Sequence, residues 1–139
     1  MTPIEAWSAV VNGEDAAIYA YSVAAAQLLG RDRRQGQAGL ESHRQRRSRA
    51  AAALTALGAP APSGASAYDL PSEVSRPRVA RRLMADVDLA LVGVYADAAA
   101  SSTGADRRWA ARSAADSATS AVAWGAAPQA FPTPASPAS

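Results

Sequence analysis

The chain has no cysteine. That excludes disulfides, thiol catalysis and Cys-ligated metals. It also has no lysine: all 14 basic residues are arginine, a bias that matches a GC-rich genome. Histidine occurs once, as His43, and aromatic residues make up only 6%. With one His, no Cys and no nucleophile elbow, acyl-transfer catalysis has no support. No glycine-rich loop of the phosphate-cradling kind is present. The uncharged run Ala16–Gly30 is too short and too polar to span a bilayer. The first residues carry Glu5, Glu14 and Asp15 and no basic leader segment, so a signal peptide is not expected and a cytoplasmic protein is.

What is there is alanine. Hydrophobic residues reach 49%, much of it Ala, the best helix former. β-Branched and aromatic residues never alternate in runs bounded by hairpin turns, so strands are not expected. The length of 139 residues suits one domain with its own core. The class is therefore all-α. The net charge of +2 is too small to point to nucleic acid. Seven arginines crowd Arg31–Arg49, but they share no face and no aromatic platforms interleave with them.

Four helices are expected. The first spans Pro3–Leu29, with Thr2 as N-cap, Glu5 completing a capping box and Gly30 as stop. Its apolar face carries Trp7, Val10, Val11, Ile18, Tyr21, Ala25, Leu28 and Leu29, while Gly13 is placed away from that seam. The second runs from about Gln35 to Leu57, the third from Ser75 as N-cap to Ser101, and the fourth over Ala105–Trp124. Helix 4 leaves two registers open. Either Trp109 faces inward with Ser113, Asp116, Ser120 and Ala123, or an alanine face is buried. The Pro/Ser/Gly-rich stretch Ala59–Val74 is long enough to run the length of a bundle, so helices 2 and 3 are joined by a crossover. Residues 1–125 form the bundle, and the Pro/Ala/Ser-rich tail 126–139 is non-helical, with Phe131 as a possible anchor or the tail as a partner-binding extension.

One residue is wrong for a core stripe. Glu14 points along the centre of helix 1's apolar face. Helix 3 echoes it: Glu14-x₆-Tyr21 and Asp88-x₆-Tyr95 each place a carboxylate and a tyrosine two turns apart on one face, as in an internal repeat of a helix hairpin. Glu14, His43 with Arg47, Asp88 and Asp116 each lie near the midpoint of their own helix. In an antiparallel bundle midpoints meet at one level.

This pattern resembles the ferritin-like superfamily, and within it an alanine-rich branch of uncharacterised bacterial domains. The residues that carry the resemblance are Glu14-Asp15-x₂-Ile18-Tyr19-x-Tyr21, His43-Arg44-x-Arg46-Arg47 and Tyr95-Ala96-Asp97. It implies a ferritin-like four-helix bundle of two helix hairpins with a long 2–3 crossover. Di-iron members use a Glu from two helices and Glu-x₂-His from the other two. Glu14 matches one single carboxylate and Asp88 could match the second. Helix 2 offers only Glu41-Ser42-His43, whose Glu and His point about 200° apart. Helix 4 has Asp116 and no histidine. A normal di-iron site cannot be assembled, and Arg47 and Arg112 near the presumed metal level would repel an ion.

Three readings of Glu14 follow. It belongs to a buried polar cluster of Glu14, His43, Arg47, Asp88, Tyr95 and Asp116, with Arg47 as its ion-pair partner. Or Glu14, His43, Asp88 and Asp116 form a degenerate site for iron or manganese, with oxidase or metal-storage activity. Or Glu14 is exposed or lies at a subunit interface. The first is favoured: a bundle that has lost di-iron chemistry, without catalytic residues or cofactor, structural or protein-binding in role. A homodimer is expected, because Ala-rich helices approach closely and pairing buries further apolar surface.

Overall fold

A computed structural model describes residues 1–65, 68–70 and 73–130. Four helices account for most of them: α1 Pro3–Ala25, α2 Gly30–Ala56, α3 Pro77–Ala100 and α4 Gly104–Ala123. No strand occurs among the described residues, so the class is all-α. The start of α1 follows local chemistry. Glu5 N–H donates to Thr2 Oγ1 at 3.2 Å while the Glu5 carboxylate accepts from the Thr2 N–H at 2.7 Å. Two of the orphan donors at the helix start are thereby satisfied.

The α1–α2 turn differs from the expected one. α1 stops at Ala25, not Leu29, and α2 begins at Gly30, several residues before Gln35. Leu28 folds under the turn and is buried, while Leu29 is 78% exposed and caps α2. Gly30 has φ +55°, a left-handed conformation that glycine takes without penalty. It therefore opens the reversal and does not merely end a helix. At α3 the N-cap is Arg76, not Ser75, and Pro77 holds the first helical position, where its missing N–H costs nothing.

Two apolar clusters fix the topology. One holds Trp7 and Val10 of α1, Leu54 of α2, Leu91 and Tyr95 of α3 and Ala110 of α4. The other holds Ala20, Tyr21 and Ala24 of α1, Leu28 of the α1–α2 turn, Ala80, Leu83 and Met84 of α3 and Trp124 after α4, with Leu40 of α2 against it. The start of α1 therefore lies beside the ends of α2 and α3. α1 runs antiparallel to both, α2 and α3 are parallel, and the segment between them returns along the whole bundle. Ala59 and Ala61 pack on the first cluster, and Leu70 and Val74 on the second. Midway, Arg47 donates to Asp15 at 2.7 Å and to the Pro62 carbonyl at 3.4 Å, tying the crossover across α1 and α2.

Small residues set the helix spacing. Gly13, expected away from the seam, faces α3: a Cβ there would lie 2.9 Å from Leu91 Cδ2. α4 buries Ala110, Ser113, Ser117 and Ala121, a stripe of small residues, with Trp109 only half-buried. This decides the register left open from sequence. Trp109 leans inward onto Trp7 and Tyr95, at ring-centroid separations of 5.8 and 5.6 Å. Asp116 and Arg112 are exposed. Trp7 Nε1–H donates to Ser102 Oγ at 3.0 Å, joining α1 to the α3–α4 turn. After α4 the described chain, 126–130, is non-helical; the anchor proposed at Phe131 lies outside the described residues.

Candidate functional site

Glu14, Asp88 and His43 meet at mid-bundle and are buried to within 2% of full enclosure. His43 lies between the two carboxylates. Its Nδ1 is 2.7 Å from Glu14 Oε2, and its Nε2 is 3.3 Å from Asp88 Oδ1. The second contact is the weaker. It has the distance of an ion pair without the alignment of a hydrogen bond, and Asp88 Oδ1 has no other partner. The tyrosines complete the layer. Tyr95 O–H donates to Glu14 Oε1, and Tyr21 O–H donates to Asp88 Oδ2 at 2.7 Å.

The internal repeat explains that pairing. α1 and α3 are antiparallel, and each carries a carboxylate and a tyrosine at the same spacing of seven residues. The tyrosine of each helix therefore lies level with the carboxylate of the other, and both bonds form at once. Gly39 of α2 makes room. A Cβ there would meet Tyr21 Cε1 at 2.5 Å, so α2 can close on the Tyr21 ring and seat His43 one turn further on. The His43 and Tyr21 rings stand edge to face at 4.5 Å.

Electrostatics follow from the geometry. Burial alone would push the imidazole toward neutrality. The close Asp88 and Glu14 carboxylates outweigh it, and the His43 pKa is raised above its ordinary 6.5. Burial pushes both tyrosine hydroxyls well above their usual range, and the adjoining carboxylates, Asp88 for Tyr21 and Glu14 for Tyr95, push the same way. They remain neutral donors. Half-buried Arg46, which donates to Ser117 Oγ at 3.4 Å, acts the other way on Tyr95, its positive charge favouring the ionised hydroxyl.

Of the residues expected to cluster, the structure brings together Glu14, His43, Asp88 and Tyr95. Arg47 is elsewhere: it lies one turn from His43, only half-buried, paired with Asp15 and not with Glu14. One turn of helix is enough to carry its side chain from the core to the α1–crossover edge. Asp116 is exposed, because the buried stripe of α4 runs through Ser113 and Ser117. Tyr21, visible in the repeat, belongs to the layer. So does Trp124, whose Nε1–H donates to Tyr21 Oη at 2.9 Å, and Ser120 lies 3.4 Å from the same oxygen. Ser120 was expected inward in one of the two α4 registers; no local signal marked Trp124, since its role depends on where α4 ends.

The layer does not fit a metal. Each ring nitrogen of His43 is directed at a carboxylate on an opposite side, so a cation bridging Glu14 and Asp88 would need the position of the ring itself. Among the described residues no group of three or more His, Asp or Glu side chains is arranged to hold an ion. With Asp116 at the surface, the four-residue ligand set considered from sequence does not converge. None of the described helices is long and apolar enough to cross a membrane.

Fold and site together define an all-α bundle of four helices around a buried polar layer. Residues 6–135 match the family described as "Domain of unknown function (DUF4439)", and the chain belongs to that family. Among solved structures it is similar to a conserved hypothetical protein, rv2844, from Mycobacterium tuberculosis. The two share 28% identity with a TM-score of 0.83, over 88% of this chain and 93% of that one. No curated protein matches.

Proposed function

We propose that this chain is a ferritin-like bundle in which the His43 ring stands where a di-iron ferritin-like protein would hold its metal, and that its role is structural or protein-binding, not catalytic. One observation carries the reading: each carboxylate of Glu14 and Asp88 is engaged by the chain itself, through one ring nitrogen of His43 and one tyrosine hydroxyl apiece. The antiparallel hairpins and the long α2–α3 return support the ferritin-like assignment. The enclosure of Glu14, His43 and Asp88 among the described residues supports a structural role for them. The layer then serves specificity, because its contacts form together in only one helix register.

The bundle is proposed to act in the cytoplasm as a homodimer. Ile4 and Leu57, each 43% exposed, leave apolar surface at one end for a second copy. The decisive experiment is elemental analysis of protein purified after growth with added iron and manganese. Far less than one ion per chain is expected; stoichiometric metal that survives dialysis would overturn the proposal in favour of a carboxylate metal site.

A further inference from the structure

The outer face between α3 and α4 carries an open apolar groove of about 700 Å³. Its walls are Leu89, Val92 and Ala96 from α3 and Ala115, Ala118 and Val122 from α4. Among the described residues no charged side chain lines it. A groove of this kind on a small bundle is apolar surface that a partner should cover. The described chain ends inside it: Ala127, Pro128 and Ala130 already form part of its wall.

From these observations we infer that the groove is the docking site of this chain's own segment Phe131–Pro134. The groove extends from Leu89 to Ala96, seven helical residues or about 10 Å. Four extended residues reach about 12 Å, so Phe131–Pro134 span it from the point where Ala130 enters. Pro132 and Pro134 restrict the backbone to extended conformations and lower the entropy lost on docking. Residues 126–134 contain no charged side chain, so no side-chain charge opposes burial on an uncharged surface. Phe131 is the chain's one phenylalanine, and an aromatic ring is the largest apolar area available to fill the groove. Tethering at Ala130 supplies a high effective concentration, so modest contacts suffice. This inference rests on the groove and the tail, and it stands independently of the reading of the buried layer.

The single phenylalanine makes the test direct. In the full chain with labelled Phe and labelled Leu and Val methyls, nuclear Overhauser contacts are expected from the Phe131 ring to Leu89, Val92 or Val122. Phe131→Ala should shift those three methyls and leave Leu54, on the far side of the bundle, in place. Phe131→Leu should restore most of the shift. An unshifted groove in Phe131→Ala would overturn the inference. So would contacts that appear only between differently labelled chains and grow with concentration, since a second copy would then fill the groove. A groove shifted by neither variant but by an added protein would assign it to a partner, and would also overturn it.

Discussion

At residue scale the fold turns on one ring. Glu14 is tolerated at the centre of an apolar stripe because His43 and Tyr95 satisfy its oxygens. Removing the charge while keeping the shape tests this. In Glu14→Gln the amide can accept one of those two hydrogen bonds but presents a donor to the other. A loss of about 3 kcal/mol is expected, in the range for breaking a buried pair. Chemical denaturation measures it, and the His43 pKa should fall, as read from its ring signals in NMR. Unchanged stability would place Glu14 outside a buried network. The His43 pKa, raised in the folded state, also predicts the pH profile. A folded-state value above the unfolded 6.5 means that the protonated ring contributes fully below that pH. The contribution is lost as pH rises through the folded value. Stability should therefore decline with rising pH above 6.5 in the natural chain, and His43→Gln should lack that component.

At the scale of elements, close approach matters more than helix propensity. Gly39 costs α2 up to about 1 kcal/mol relative to Ala in an isolated helix. Alanine there would place its Cβ 2.5 Å from the Tyr21 ring. Overpacking of this kind costs about 1–3 kcal/mol, so Gly39→Ala should be net destabilising in thermal unfolding. A gain in stability would show that α2 can back away from Tyr21 freely. The crossover offers a separate test. Arg47 ties Asp15 and the Pro62 carbonyl, and its ion pair with Asp15 raises the guanidinium pKa further. Arg47→Ala should leave the helices intact by circular dichroism and speed limited proteolysis between Leu57 and Arg76. Cleavage at the natural rate would mean that the crossover is held by its apolar contacts alone.

At the scale of the whole molecule, much was legible. Alanine content, caps and punctuating glycines specified four helices, and the length and proline content of Ala59–Val74 implied the return along the bundle. The layer was partly legible, since carboxylates at mid-helix and the repeated seven-residue spacing pointed to Glu14, Asp88 and both tyrosines. The placement of Arg47 was not, because one turn of α2 separates a core position from an edge position. Nor was that of Asp116: α4 has weak amphipathicity, and its burial is decided by which small residues let it approach α3. The sequence by itself determined that a carboxylate would be buried and that a basic group must meet it, since an unpaired charge cannot remain in an apolar interior. Only the tertiary structure decided which group that was. His43 reaches both carboxylates because Gly39 lets α2 close on Tyr21, whereas Arg47, one turn on, finds Asp15 at the rim, where its charge stays partly in water.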